Sequence, residues 1–436
     1  MPDVLYLLNL KNRGSKMLNK AVGFFGLALA LSGCSDYWYT YHVLDSNADA
    51  GTDAAVSACL SGEPYEFVDG VYKTCCDPND KAKSASNLQK TIELTQATPD
   101  STSVTIKLGC SVPVQLTLQK LASTTAAGEG SMLPIIARET IIDGNGSTLD
   151  AGLNERHFLV KPNVGLTLKN IKLIRGRATA IPDATSARWP ICVEGGPKLP
   201  ADASCGGSIL SFGRLTLDKV FITESRSENP TVAAGGAICI AGSKLTLKNS
   251  IIYGNTSVSG DAVSRAEGAG IYLLSSDAEF TFSTILSNLN NTKNTGPAAA
   301  IQFTGGSQKI FTNNNSLMVN YYSIATNNNQ TANYALLIPC GLTANSLSTA
   351  AFDKMLKPPT CPGSLMGYGS SLNISGTGAD WPSPSMYPAV ISPSGTFDGV
   401  LIKSTDPASC ASAGADYFGN TRKASGCMPG AVELRW

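Results

Sequence analysis

The chain has 436 residues, of which 15% are charged, and 33 Lys and Arg residues balance 33 Asp and Glu residues. This balance excludes a global field that would favour nucleic acid, so we expect no nucleic-acid partner. The 42 Gly residues, with many Ser, Thr and Asn residues, indicate frequent turns rather than long helices and favour an all-β secreted protein.

The N-terminus has the pattern of an export signal. Basic residues precede an apolar run over residues 21–31, which is too short to span a bilayer but suits a signal peptide. The run ends in Leu-Ser-Gly-Cys, which resembles the lipobox of bacterial lipoproteins. The resemblance implies a signal peptide over residues 1–34, with Met17 as an alternative start, and lipidation of Cys34.

The residues after this cysteine indicate the location. Ser35, rather than an Asp, follows Cys34, which resembles the outer-membrane address in enterobacterial sorting. It implies a protein held by lipid at the bacterial outer membrane or cell surface, with the membrane as a partner. Residues 35–58 are small and polar after a short aromatic patch and predict a tether.

Export makes disulfides the default interpretation of the eleven cysteines that remain of twelve once Cys34 is set aside. The odd number leaves at least one thiol free or intermolecular, and Cys239, inside a predicted strand, is the candidate. Zinc is the alternative, but with two His residues and no second CxxC-like pair we expect no metal and no cofactor. The disulfide candidates form three neighbouring pairs: Cys192 with Cys205, Cys340 with Cys361, and Cys410 with Cys427.

Residues 59–100 predict a Cys-containing N-terminal cap. Its first part, over 59–82, predicts an irregular segment, and residues 85–97 predict a short amphipathic helix. The apolar residues near helical spacing are Leu88, Ile92 and Leu94. Val104–Leu108 then alternates like a strand. The Asp143-Gly-Asn-Gly146 sequence predicts a turn rather than a phosphate-binding loop, because it lacks a third Gly and a following helix.

From about residue 158 the sequence repeats itself. Five units each contain three short apolar segments separated by turns, and small residues often precede the first segment. The units begin at Leu159, Ile209, Ile238, Ile271 and Ile301. The first interval is longer than the others because of an insertion at about 177–205.

A unit this short cannot bury its apolar side alone, so it must stack on copies of itself. We therefore predict a single-stranded right-handed parallel β-helix, a solenoid of the all-β class, over residues 101–400. A leucine-rich repeat is the alternative, but its fixed Leu/Asn pattern is absent. The residues predicted to form one inward column are Leu168, Leu217, Leu247, Phe282 and Phe311.

Two further sets of residues fit this stacking. Gly residues at 206–207, 235–236, 268 and 270 predict tight corners. Asn170, Asn249 and Asn313 share one register and predict a turn ladder, with ligand binding as the alternative.

The open ends of such a stack need caps. We expect the helix and its cystines at one end and residues 401–436, closed by a Cys410–Cys427 disulfide, at the other.

The repeats carry a resemblance to known families. The Gly-Gly-Ala-Ile sequence at 235–238 and the I-x-x-N ends of the units resemble polymorphic outer membrane proteins and other pectin-lyase-like β-helices. The C-terminal segment resembles choice-of-anchor Q proteins, with Asp416, Gly419 and Arg422 at the positions of D-x-x-G-x-x-R. This implies a C-terminal cap with an Asp416–Arg422 ion pair, although Met428-Pro429 replaces the usual Asp-Ile.

The sequence shows no catalytic centre. The motifs of pectate lyases and polygalacturonases are absent, and no Asp-Asp or Glu-Glu pair lies within the repeats to place two carboxylates together. His157 is the one His of the predicted folded region, so a Ser-His-Asp triad would have to use it. An ordinary turn His is the alternative that we favour.

One polar cluster could bind a ligand. Mixed Arg, Glu and Asn residues on a parallel face could hydrogen-bond a polysaccharide, and the alternative is a solvated corner with weak ion pairs. We expect a non-enzymatic protein that is structural or binds a glycan or partner protein. The alternatives are a polysaccharide lyase or glycoside hydrolase, and a subunit of a cell-envelope assembly. The residues of the predicted face are Arg175, Arg177, Glu224, Arg226, Asn255 and Asn288.

Overall fold

The computed structural model describes the chain from Cys59 onward, with gaps. The described residues are 59, 62–97, 103–120, 130–179, 203–260, 265–286, 288–292, 298–304, 309–312, 317–319, 322–325, 333–337, 343–345, 351–352, 355–356, 415–417, 419 and 421. The signal segment, Cys34 and the 35–58 tether lie outside them. So do Cys192, Cys340, Cys361, Cys410 and Cys427, and these predictions stay predictions.

Within these ranges the chain is all-β, with one α-helix and 31 strands. The N-terminal elements are β1 (Tyr65–Val68), β2 (Val71–Thr74), α1 (Lys81–Ala97), β3 (Val104–Leu108), β4 (Gln115–Thr117), β5 (Thr140–Asp143), β6 (Thr148–Asp150), β7 (Phe158–Val160), β8 (Gly165–Ile174) and β9 (Arg177–Ala178). The central strands are β10 (Ser204–Cys205), β11 (Ile209–Ser211), β12 (Arg214–Thr223), β13 (Arg226–Asn229), β14 (Val232–Ala234), β15 (Ile238–Ala241), β16 (Lys244–Lys248), β17 (Ile251–Tyr253), β18 (Thr256–Ser259), β19 (Arg265–Glu267), β20 (Ile271–Leu274), β21 (Asp277–Thr281), β22 (Thr284–Leu286) and β23 (Leu289–Thr292). The last strands are β24 (Ala298–Thr304), β25 (Lys309–Thr312), β26 (Leu317–Val319), β27 (Tyr322–Ala325), β28 (Asn333–Leu337), β29 (Thr343–Asn345), β30 (Ala351–Phe352) and β31 (Met355–Leu356).

Among the described residues the strands form four sheets: each of the five repeats contributes to the first three, and only the repeats up to β19 contribute to the fourth. The largest sheet has 16 strands and runs from β1 to β29, the second runs from β7 to β31, the third from β9 to β27, and the fourth is β10-β14-β19. The repeat at residues 209–234 places β11, β12, β13 and β14 in four different sheets. Every strand pair among the described residues is parallel except the β1–β2 hairpin. Equivalent strands of successive repeats are therefore neighbours.

The predicted inward column is confirmed for three of its five members. Leu217 pairs with Leu168 on one side and Leu247 on the other, and all three are buried. The next register partner of Leu247 is Phe280, so the prediction of Phe282 at this place in the column is wrong. Phe311 was wrong as well, because it pairs with Glu279. A strand repeats every two residues, so a shift from 280 to 282 keeps the same face and the apolar pattern cannot reveal it.

The first strand of each repeat is buried on both faces. Ile209 packs into the main core, whereas Leu210 packs into a second cluster with Ala234 and Cys205. This strand therefore reads as a continuous apolar run rather than an alternating one. Because the run does not alternate, the sequence alignment of the first repeat was wrong by one residue: the partner of Ile209 is Phe158 and not the predicted Leu159.

Turn residues at the predicted corners adopt left-handed backbone conformations. Gly206 has a φ of 72°, and a Cβ there would lie 2.2 Å from the Ile209 carbonyl oxygen, so glycine is required. Asn170, Lys219 and Asn249 share a register position with φ of 49°, 56° and 47°. The turn prediction is confirmed: these positions take the left-handed conformation that Asn tolerates, and Asn170 Nδ2 also donates to Asp143 Oδ1 of β5 at 3.3 Å. Asn313 lies outside the described residues.

The N-terminal cap is more regular than predicted. The segment predicted to be irregular forms the β1–β2 hairpin, whose turn is Asp69-Gly70 with φ of 52° and 79°. The helix begins at Lys81 rather than at residue 85, since Asp80 caps it by accepting a bond from the Lys83 amide at 2.9 Å. Leu88 and Ile92 are buried as expected, whereas Leu94 is 42% exposed.

The disulfide pattern corrects two predictions. Cys205 bonds to Cys239, so the pairing of Cys205 with Cys192 was wrong and Cys239 is not free. The bond joins two successive repeats, because Cys205 follows the insertion and Cys239 lies on β15. Two further disulfides lie in the N-terminal cap: Cys59–Cys75 joins the chain before β1 to the end of β2, and Cys76–Cys110 joins the chain before α1 to the end of β3. The insertion itself is shorter than 177–205, because β9 and β10 occupy its ends.

The described part of the C-terminal segment does not lie beyond the last strand. The ring of Tyr417 contacts that of Phe221 with centroids 6.3 Å apart, and Asp416 is fully buried. Phe221 belongs to β12, which is four strand spacings, or about 19 Å, from β30 in the same sheet. Residues 415–417 thus cover the outer side of the large sheet, and the predicted position of the 401–436 cap was wrong for these residues. Arg422 lies outside the described residues.

Candidate functional site

Two arginines of the predicted face share one carboxylate. Arg177 and Arg226 are register partners on β9 and β13. Each places an Nη2 atom 3.1 Å from a different carboxylate oxygen of Glu228. The three side chains are 35–41% exposed. Because Arg226 and Glu228 are two residues apart on one strand, both point outward from the sheet.

Arg175 and Glu224 occupy the corner before these strands. Both have left-handed backbones, with φ of 57° and 56°. Arg175 Nε donates to Asp150 Oδ1 at 2.8 Å, and its Nη2 contacts the second oxygen. Burial acts to raise the pKa of the Asp150 carboxyl, but hydrogen bonds from Arg175, the Gly152 amide and Gln115 outweigh it, so the pKa lies below its ordinary value.

Asn255 and Asn288 do not belong to this surface, because both are fully buried. Asn255 Oδ1 accepts from the Ser225 amide at 3.0 Å, and Asn288 Oδ1 accepts from the Asn255 amide at 3.0 Å. Their side-chain NH₂ groups donate to the carbonyls of Ile222 and Ile252. They form an internal ladder that satisfies backbone groups, which corrects their prediction as ligand-binding residues.

The exposed set that remains is named the Arg–Glu face: Arg175, Arg177, Glu224, Arg226 and Glu228. It carries three cations and two anions, and Asp150 beneath it balances the charge. The next two repeats place Thr256 on β18 and Leu289 on β23 in register with Arg226, and both are half-buried. Such a row of guanidinium, carboxylate and hydroxyl groups can offer several hydrogen bonds to an extended ligand.

His157 has a serine partner but not the arrangement of a catalytic triad. Its Nδ1 lies 2.9 Å from Ser208 Oγ and its Nε2 lies 3.1 Å from the Leu149 carbonyl oxygen. The carbonyl can only accept, so Nε2 carries the proton and Nδ1 accepts from the serine. Burial lowers the pKa of His157 to about 4. Since both side chains are fully buried, this pair is a core contact without access for substrate.

Arg156 beside it is also structural. The residue is 1% exposed, and its guanidinium donates to the carbonyls of Gly130, Cys205 and Gly206 at 2.6, 3.3 and 3.3 Å. Burial lowers its pKa to about 10. These bonds hold the β10–β11 corner against the chain before β5.

Other classes of site are not found in the part of the chain that the structure describes. No three His, Cys, Asp or Glu side chains of these residues come together as a possible metal site. Over the same residues, no helix is both long and apolar enough to cross a membrane.

Two ion partners of the face escaped the sequence analysis. Glu228 could have been found, because it lies two residues after Arg226 in a strand. Asp150 precedes Arg175 by 25 residues, and no sequence pattern aligns β6 with β8. Comparisons of the chain with protein-family models, with curated proteins and with solved structures gave no match.

Proposed function

We propose that the chain is a lipid-anchored protein of the bacterial cell surface that binds an extended glycan through the Arg–Glu face and catalyses no reaction. The observation that carries the proposal is the shared carboxylate of Glu228 between Arg177 and Arg226. It holds two guanidinium groups at the spacing of adjacent parallel strands, half-exposed and ready to contact successive units of a polymer.

The proposed scaffold is a right-handed parallel β-helix, as in the pectin-lyase-like and choice-of-anchor Q families that the sequence resembles. The order in which successive repeats enter the four sheets supports it, since β11 to β14 are followed by β15 to β19 in the same order. The handedness follows from the strong preference of parallel crossovers. Such a scaffold presents equivalent residues in rows, which suits a polymeric ligand.

The lipid anchor rests on the Leu-Ser-Gly-Cys sequence that ends at Cys34. Replacement of Cys34 by Ser removes the thiol that an acyl group would modify. We expect the native protein to carry a diacylglyceryl mass on the peptide that begins with Cys34 and to fractionate with membranes. A mature protein without lipid at this position would contradict the anchor.

The binding test uses the full-length protein from membranes on an array of glycans and polysaccharides. We expect saturable binding that falls in the double variant Arg177→Ala/Arg226→Ala. The matched control is Arg214→Ala, which removes another surface arginine, paired with Glu139 on the large sheet. Equal binding by both variants would contradict the assignment of the face. Release of shortened products would favour a lyase or hydrolase, and co-purifying proteins without glycan binding would favour an envelope assembly.

A further inference from the structure

The β1–β2 hairpin exposes apolar side chains on both of its faces. Phe67 is 60% exposed and Val68 is 50% exposed, and successive strand residues point to opposite sides of the sheet. On the Phe67 side, the ring of Tyr72 lies 4.7 Å from Phe67 and 5.0 Å from Tyr65. A flat protein surface could cover only one of these sides, whereas a fluid interface can surround both.

The hairpin also lies where the tether enters the fold. The Cys59–Cys75 disulfide fixes the end of the 35–58 segment one residue after β2. If residues 35–58 are the tether that their composition predicts, a flexible chain of this length would have a mean reach of about 27 Å. An acyl group on Cys34 would therefore keep the hairpin close to the bilayer, at an effective concentration in the millimolar range.

We propose that the β1–β2 hairpin docks on the lipid surface, with Phe67 and Val68 at the boundary between headgroups and acyl chains. This inference rests on the lipid anchor in the proposed function. The charged groups around the tip are Glu66, Asp69, Lys73 and, on the adjacent strand β3, Lys107. Charges of both signs suit a zwitterionic headgroup layer and limit the depth to about 5–10 Å.

Docking would fix the orientation of the protein. The hairpin is the first pair in the sheet order that leads through β3, β5 and β8 to β12. The Arg–Glu face follows β8 and β12 in the chain, so it would lie several strand spacings from the lipid. The aromatic side chains of the hairpin suit an interface, because one end of such a residue is apolar and the other polar.

The test uses the acylated full-length chain in phosphatidylethanolamine vesicles that contain a lipid brominated near the carbonyl end of its acyl chains. A tryptophan introduced by Phe67→Trp is compared with one introduced by Leu153→Trp. Leu153 is a matched control, because it is a large apolar residue that is 40% exposed but follows β6, which is three spacings from β1. Emission of the native tryptophans is subtracted with the parent protein.

We expect quenching of the tryptophan from Phe67→Trp and none of that from Leu153→Trp. If the protein sediments with vesicles but neither tryptophan is quenched, the anchor holds and the docking proposal is wrong. Equal quenching of both would overturn it too, since it shows no preferred side. If the protein does not sediment with the vesicles and carries no acyl mass on Cys34, the lipid anchor of the proposed function is wrong instead. As a second measurement, Phe67→Ser should lower partitioning of the deacylated chain about tenfold.

Discussion

Asn255 donates its side-chain amide to Oδ1 of Asn288 at 3.0 Å, and these two residues lie on successive repeats. The same two side chains accept from backbone amides and donate to backbone carbonyls on neighbouring strands. A repeat that pairs in register can use one Asn per turn in this way, because each side chain meets the equivalent groups of the next repeat.

Replacement of Asn255 by Ala should destabilise the protein strongly. It leaves the Ser225 amide and the Ile222 carbonyl without their partners in the interior, and each orphaned group costs about 1–3 kcal/mol. We expect the free energy of unfolding in urea to fall by about 3 kcal/mol. The control is Asn291→Ala on the half-exposed side of β23, which should change it by less than about 0.5 kcal/mol. Equal effects of the two variants would argue against the ladder.

The buried His157 should make stability depend on pH. Its pKa is lowered from 6.5 to about 4, so the unfolded chain binds a proton below pH 6.5 that the folded chain does not. The stabilisation that comes from the neutral His157 is therefore fully present above pH 6.5. It is lost as the pH falls towards 4, which lowers the free energy of unfolding by about 3 kcal/mol in total. Urea unfolding at pH 7, 6, 5 and 4 measures this loss. The His157→Gln variant should have a pH slope smaller by one proton, and an unchanged slope would contradict the burial of His157.

The buried Tyr417 should make stability depend on pH in the alkaline range. Burial raises its pKa from 10 to about 12, so above pH 10 the unfolded chain releases a proton that the folded chain keeps. Stability should fall as the pH rises from 10 towards 12. The Tyr417→Phe variant keeps the ring against Phe221 but removes this titration. If its stability falls with pH as steeply as that of the parent, Tyr417 does not pack on β12.

The Cys205–Cys239 disulfide should be found by peptide mapping without reduction, and a peptide that joins Cys192 to Cys205 would contradict the structure. The bond closes a loop of 34 residues. In the chain-entropy description, its removal in the double variant Cys205→Ala/Cys239→Ala should cost about 4 kcal/mol. Loss of less than about 1 kcal/mol in urea unfolding would show that the two repeats pack equally well without it.

The repeats predicted much of the fold because short apolar units can be buried only against one another. Leu168, Leu217 and Leu247 follow the same Leu-Thr-Leu pattern, and they are register partners. The pattern could not fix the register of Phe280 and Phe282, since two-residue shifts preserve the face. The Asp69-Gly70 turn, by contrast, is a strong hairpin signal that the sequence analysis overlooked.

The candidate site was predicted less completely, because several of its contacts join residues that are far apart in the sequence. Arg177 and Arg226 could be aligned because both follow an equivalent apolar segment. The Arg175–Asp150 pair needs the register of β6 with β8, and β6 lies before the first repeat that the sequence reveals. The contact of Tyr417 with Phe221 spans almost 200 residues and depends on how the C-terminal segment crosses the sheet, for which no local pattern exists.

The pairing of successive repeats is tested most directly by an engineered disulfide. Cys205 pairs in register with Ala234, and Cys239 pairs with Tyr272. Cys205 and Cys239 have a Cα separation of 5.6 Å. Positions 234 and 272 lie one repeat further along and should have the same geometry. The control variant Ala234→Cys/Leu274→Cys moves one cysteine two residues along the strand, by about 7 Å. Peptide mapping should find a link between positions 234 and 272 and none between 234 and 274. Two free thiols in the Ala234→Cys/Tyr272→Cys variant, or linkage only in the control, would contradict the parallel register of these repeats.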